Sequence, residues 1–218
     1  TGEAGIGKTA LAEEFQRQVI AGRPAVRIAH GQCVEGFGSK EPFYPVLQAV
    51  GQFCRGPGGA AVVATLASHA PTWLVQFPAL LTREHRETLT QEILGATRER
   101  MLREICEALE LIAASVPILL ILEDLHWADS STLDLVSALA RHPMRARLMV
   151  IATYRSTDAA RSAQPLHALK RDLVARHLSR EECETAYELN TGRVLVEVLE
   201  ARGGSALDVP GALVAGHG

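Results

Sequence analysis

Gly2-Glu3-Ala4-Gly5-Ile6-Gly7-Lys8-Thr9 opens the chain, and its reading decides the fold. The octet fits G-x-x-x-x-G-K-[ST], with Gly2, Gly7, Lys8 and Thr9 in the fixed places. A backbone that curls around a phosphate turns successive N–H groups inward. That demands glycine wherever φ becomes positive or a side chain would block the anion. Gly2, Gly5 and Gly7 supply this freedom. Lys8 and Thr9 stand where a helix should begin, so unpaired N–H donors and the positive end of the helix dipole face the same anion. Lys8 is placed to reach the β- and γ-phosphates of a nucleotide. The Thr9 hydroxyl is placed to complete the shell of a Mg²⁺ ion, which keeps several waters and uses few protein ligands. Glu3, Ala4, Ile6 and Ala10 fill out the nucleotide-binding segment. Only three of the 22 Lys and Arg residues are lysines, and one of the three falls in the required position. Beyond the loop, Leu11, Phe15 and Val19 recur every four residues and Glu13 is spaced i,i+4 from Arg17, which predicts a helix with one buried face and one exposed pair.

The second half of such a site lies far downstream. Ile118-Leu119-Leu120-Ile121-Leu122 is a continuous apolar run after Pro117, the pattern of a strand buried on both faces in a parallel sheet, and it ends in Glu123-Asp124. Ligands of open α/β sheets bind beyond the carboxyl ends of the strands, so acids there can reach a metal and an attacking water. One carboxylate would hold Mg²⁺ through its water shell while the other polarises the water; Glu123 and Asp124 both stand open for the metal. Asp129 precedes Leu133, Val136 and Leu139 at helical spacing and reads as an N-cap rather than a ligand, and Trp127 reads as packing. His126 lies between the acids and that helix. A further strand, Leu148 to Ala152, runs into Thr153-Tyr154-Arg155 and should lie beside the acidic strand. There Thr153 or Arg155 could touch a γ-phosphate, a contact that suits the planar fork of arginine.

Composition excludes several other classes. The chain has 218 residues, 47% of them hydrophobic and 22% charged, enough for a buried core and about one and a half ordinary domains. Its apolar runs fall short of the ~20 residues of a membrane span. A net charge of −3 offers no footprint for a nucleic-acid backbone. Cys33, Cys54, Cys106 and Cys183 are widely separated and no histidine pair has ligand spacing, so reduced, packed cysteines in a cytoplasmic protein are expected rather than a zinc site or disulfides. Starting at Thr1 and passing directly into a functional loop, the chain reads as a piece of a larger protein.

With Gly2 to Thr9, Glu123-Asp124-Leu125-His126-Trp127-Ala128-Asp129 and Ala152-Thr153-Tyr154-Arg155 quoted, the sequence resembles the AAA-like P-loop ATPase modules of the STAND class, found in large bacterial regulators. Such modules are joined to LuxR-type or winged-helix DNA-binding domains, to adenylate or guanylate cyclase domains, or to kinases. The segments Gly31 to Glu35, Ala70 to Leu74 and Ala96 to Glu104 are similar to the same group, so the likeness covers most of residues 1 to 175. It implies a three-layer α/β P-loop fold with a mostly parallel sheet. It also implies slow, Mg-dependent ATP hydrolysis that switches the module between closed and open states, and it makes Arg155 a sensor-type residue. Two features depart from the group: the first acid is Glu123, where Asp is more usual, and the strand expected ahead of the phosphate loop is absent from the sequence.

The expected organisation is a P-loop ATPase domain over residues 1–190, with a helical insertion at about 31–117, and the start of a helical lid over 191–218. Ala25 to His30 reads as a strand. Gly56-Pro57-Gly58-Gly59 reads as a loop within the insertion, whose last helix places Met101, Ile105, Leu109 and Ile112 on one face. The insertion reads first as a helical cover on the domain. Arg161 to Arg180 is helical in style, Thr185 to Leu189 is a candidate strand, and Val194, Leu195, Val198 and Leu199 suggest a helix.

Three functions are expected in order. The first is an ATP-hydrolysing switch using Gly5, Gly7, Lys8 and Thr9 with Glu123, Asp124 and Arg155. The second is a non-hydrolysing, nucleotide-gated scaffold that self-associates or releases a partner. The third is a small-molecule kinase. Neither the N-K-x-D element of guanine-specific proteins nor the Leu-Ser-Gly-Gly-Gln signature of transporters occurs. The expected partners are ATP and other domains of a longer chain.

Overall fold

The computed structural model describes residues 8–22, 25–35, 41–82, 95–141, 147–154, 166, 168, 169 and 195–198. Helix α1 (Lys8–Gly22) leads into strand β1 (Arg27–Gln32). Among the described residues four helices follow, α2 (Tyr44–Arg55), α3 (Gly59–His69), α4 (Pro71–Leu74) and α5 (Arg98–Ser115), with a 3₁₀ turn at Pro78–Leu80. Then come β2 (Ile118–Glu123), a 3₁₀ turn at Leu125–Trp127, α6 (Ser130–Arg141), β3 (Leu148–Ala152) and β4 (Leu195–Val198).

The four strands among the described residues form one sheet in the order β1-β2-β3-β4, parallel at every pairing. The alternation of side chains along each strand divides the core in two. Leu119 and Ile121 of β2 and Ile151 of β3 meet Ala12 of α1, with Phe15, Val19, Val26, Ile28 and Met149 packed around them. The intervening residues Ile118, Leu120, Leu122, Leu148, Val150 and Ala152 face the other way, into a larger cluster shared with α2 to α6. Ile118–Leu122 is thus the strand buried on both faces that its apolar run predicts, in an α/β arrangement that among the described residues has α1 on one face and α2 to α6 on the other. The described helices between β1 and β2 cover this face, and α5 turns Ile105, Leu109 and Ile112, all buried, and the half-buried Met101 into the cluster. Trp73 is wholly enclosed there and donates its Nε1–H to the Met101 carbonyl at 2.8 Å.

Close approach requires glycine at the join between sheet and cover. A Cβ on Gly31 would lie 2.0 Å from the carbonyl oxygen of Pro45, so α2 can rest on β1 only where that residue has no side chain. The outer edge of β1 carries polar groups that β2 cannot reach, and α2 supplies their partners. Gln52 accepts from the His30 N–H and donates to the His30 carbonyl, both at 2.9 Å. Gln48 accepts from the Gln32 N–H at 3.0 Å. Two side chains one helical turn apart thus take the place of a neighbouring strand.

Three expectations need correction. The strand after α1 spans Arg27–Gln32 rather than Ala25 to His30, because Arg27 to Gln32 is the stretch in register with all six residues of β2. Arg17 pairs with Glu14 at 2.6 Å rather than with Glu13, since i,i+3 neighbours meet on a helix surface as readily as i,i+4 ones. Leu195–Val198 is a strand rather than part of a helix: Val196 and Val198 are β-branched, and the free edge of β3 supplies backbone partners that outweigh the spacing of the apolar positions. The candidate strand at Thr185 to Leu189, the expected domain boundary at 190 and the lid segment after 198 lie outside the described residues, as does most of Arg161 to Arg180.

Candidate functional site

The carboxyl ends of β1, β2 and β3 meet where the sequence places its acids. Glu123 closes β2 on the face that α1 covers, in register with Gln32. Its side chain is 20% exposed, and Oε1 lies 3.8 Å from Nδ1 of His30. The opposite ring nitrogen of His30 donates to Oε1 of Gln16 at 2.7 Å. A polar path therefore runs from the middle of α1 through β1 to the first acid of the pair. Gln16 and His30 are the site residues that sequence reasoning missed. The available signal was a histidine at the one position of β1 that faces the helix two residues short of the acid's level.

Asp124 follows with φ 54° and ψ 44°, a left-handed conformation that β2 itself does not continue into. Asp tolerates this region better than most residues because its short polar side chain bonds locally. Its N–H donates to the hydroxyl of Thr153 at 3.2 Å, and the next N–H, of Leu125, donates to the Thr153 carbonyl at 2.7 Å. Asp124 Oδ1 also lies 4.0 Å from Nδ1 of His126, whose side chain is completely enclosed. Trp127 packs at the edge of the core with its ring centroid 5.1 Å from that of His126, in keeping with its packing role.

Asp129 caps α6 as expected. It accepts from the Thr132 N–H at 2.9 Å and the Thr132 hydroxyl at 2.5 Å. The same carboxylate accepts from the N–H of Phe43, which is left-handed at φ 62° and buried. Asp129 thus ties the segment after β1 to the turn after β2. Cys33, buried beside them, has its thiol pushed up to about 12, first by burial and then by the negative charges of Asp129 and Asp124. A thiol held neutral in this way is packing, not a nucleophile. Cys54 and Cys106 are likewise free, buried and pushed up to about 11, chiefly by burial; Cys183 lies outside the described residues.

Gly2, Glu3, Ala4, Gly5, Ile6 and Gly7 lie outside the described residues, and so does Arg155. Lys8, Thr9 and Ala10 are helical from the first residue of α1. Because α1 returns to the start of β1, its first turn points toward the carboxyl ends of the strands. From the Gln16 contact to Lys8 is eight residues, about 12 Å at 1.5 Å per residue, directed toward the level of Glu123 and Asp124.

Two adjacent, partly exposed carboxylates are hard oxygen donors that fit a hydrated Mg²⁺. This ion prefers one or two carboxylates, its own waters and the oxygens of a phosphate. No group of three or more His, Cys, Asp and Glu among the described residues could hold a metal, so a cage built wholly from such side chains is not on offer here. No helix among the described residues is long and apolar enough to cross a membrane.

A parallel sheet with acids at its carboxyl ends, preceded by a helix that starts in Lys-Thr, fits an α/β P-loop domain. The chain belongs to the AAA ATPase domain family, whose sequence model matches residues 1–151. It is also similar to an uncharacterized protein of Rhizobium meliloti (strain 1021), 29% identical over 168 residues, which is 73% of this chain and 16% of that protein. The chain spans about one sixth of the length of that relative. No solved structure matches it.

Proposed function

We propose that this chain is the ATP-binding and ATP-hydrolysing switch domain of a longer signal-transduction or transcriptional regulator, a STAND-class module acting slowly and with Mg²⁺. The observation that carries the reading is the meeting of Glu123, Asp124 and Thr153 at the end of the sheet toward which the backbone of α1 runs back to its first residue. Family membership supports the nucleotide and the reaction class.

In this reading Gly2, Glu3, Ala4, Gly5, Ile6, Gly7, Lys8, Thr9 and Ala10 cradle the phosphates with backbone N–H groups, and Lys8 pairs with the β- and γ-oxygens. Thr9 and one of the pair Glu123 and Asp124 would hold Mg²⁺, which would supply positive charge to the phosphates. Whichever of the two acids is not occupied by the ion accepts the proton of the attacking water and fixes its line of approach. Arg155 reaches the γ-phosphate and reports its presence to the rest of the chain.

The test is Mg-ATP binding and phosphate release on one preparation, wild type beside Lys8→Ala. The variant should bind ATP roughly 10- to 150-fold more weakly, the range spanned by a hydrogen bond to a charged group. Binding without turnover would instead favour the nucleotide-gated scaffold. Faster ADP formation on adding an acceptor alcohol would favour a small-molecule kinase. Unchanged affinity in Lys8→Ala would remove the phosphate loop from the site.

A further inference from the structure

Regular pairing of β2 with β3 would not produce the turn seen at Asp124. The Ile118 N–H donates to the Arg147 carbonyl, and a parallel ladder repeats every two residues, so Asp124 should donate to the carbonyl of Thr153. That carbonyl is taken instead by the Leu125 N–H at 2.7 Å. The left-handed twist at Asp124 advances the chain by one residue and strands its N–H from the ladder. The hydroxyl of Thr153 takes up that N–H at 3.2 Å. Thr153 is itself pinned, since its own N–H donates to the Leu122 carbonyl at 2.9 Å and its side chain is buried.

We propose that Thr153 is a positioning residue for Asp124: its hydroxyl holds the left-handed turn that sets where the Asp124 carboxylate stands relative to Glu123. Without that acceptor the alternative is an extended Asp124 whose N–H returns to the ladder. Because side chains alternate along a strand, Asp124 would then project to the face opposite Glu123, and the two acids could not serve one site. The sequence alone offers Thr153 as a candidate contact to a γ-phosphate; the structure commits the hydroxyl to the backbone of its neighbour. The proposal rests on the ATPase reading for its functional consequence but not for its structural one.

The experiment compares Thr153→Val, which keeps the shape and removes the hydroxyl, with Thr153→Ser, which keeps the hydroxyl. In the absence of nucleotide, amide hydrogen exchange at Asp124 should speed up about tenfold in the valine variant, the factor expected for loss of one ordinary hydrogen bond, and stay near wild type in the serine variant. With Mg-ATP, the valine variant should lose about tenfold in kcat with KM and the ratio of ATP to ADP affinity unchanged, and serine should restore the rate. A selective loss of ATP over ADP affinity in the valine variant would instead make Thr153 a phosphate contact. Unchanged exchange at Asp124 would overturn the proposal. If the wild type turns over no ATP, the ATPase reading fails while the exchange comparison still decides the role of Thr153.

Discussion

The side-chain amide of Gln52 lies against the backbone of His30 as a paired strand would, accepting its N–H and donating to its carbonyl at 2.9 Å each. A single residue of α2 therefore closes the middle of an exposed sheet edge. Gln52→Ala should cost about 1–3 kcal/mol in urea unfolding, because both polar groups of His30 lose their partner. Gln52→Glu keeps the acceptor but turns the donor into a second acceptor facing the His30 carbonyl, so it should recover only part of that stability.

Gly31→Ala is expected to be among the most damaging single-methyl changes in the domain. The added carbon meets a backbone oxygen at 2.0 Å, and neither α2 nor β1 has a flexible side chain to move aside. A loss of at least ~1–3 kcal/mol, the ordinary cost of overpacking, should appear as a lowered Tm. Gly22→Ala, where nothing lies within 4 Å, is the matched control and should be neutral or slightly stabilising.

Asp129→Ala removes one carboxylate that holds two pieces of chain, the N–H of Phe43 and the first turn of α6. A loss of about 2–3 kcal/mol is expected, more than an ordinary N-cap, since a buried N–H on the far segment is also left without its acceptor. Asp129→Asn, which retains one oxygen, should fall between. Calorimetric unfolding of the three proteins gives the order.

The buried thiols set an alkaline limit. Cys33 titrates in the native state at about 12, and Cys54 and Cys106 at about 11, all above the usual 9.0. The unfolded chain therefore gives up these protons first, so stability should hold below about pH 8 and fall as pH rises from about 9 to 12. In a Cys183→Ser chain at pH 8, a thiol reagent should label the three remaining cysteines only as fast as the protein opens, with the rate climbing in urea. Rapid labelling of all three without urea would contradict their burial.

For the acid pair, Asp124→Asn and Glu123→Gln should separate two roles. The residue that polarises water should lose about 10²–10⁴-fold in phosphate release with ATP binding retained, and the one nearer the ion should show a raised Mg²⁺ requirement. Titrating Mg²⁺ at fixed ATP in both variants distinguishes them.

Much of this architecture was legible before the structure. The run from Ile118 to Leu122 announced a doubly buried parallel strand because both of its faces are apolar, and Leu148 to Ala152 repeated the pattern. Asp129 was legible as a cap because capping is local, involving a residue and the N–H groups just after it. What escaped was long-range. His30 looks like any polar residue on a strand until α1 and β2 are brought to either side of it. Gln48 and Gln52 acquire meaning only when the edge of β1 lies beneath them. The strand at Leu195–Val198 was misjudged for the same reason: short apolar segments take the structure that a neighbour offers, and β3 is 43 residues away in sequence at Ala152 paired with Leu195's strand. The left-handed turn at Asp124 carried only a weak sequence mark, since Asp tolerates that region but does not demand it as glycine often does.

The contact between Gln16 and His30 turns α1 into a lever with its fulcrum two turns from the end. Eight residues separate that point from Lys8, so a tilt of about 5° swings the start of the helix by about 1 Å while leaving the fulcrum still. A displacement of that size is enough to spoil alignment at a reacting centre. A domain or ligand that leans on the far end of α1, near the exposed Ile20, would therefore load the end that begins at Lys8, against the resistance of Ala12 packed on Leu119 and Ile121.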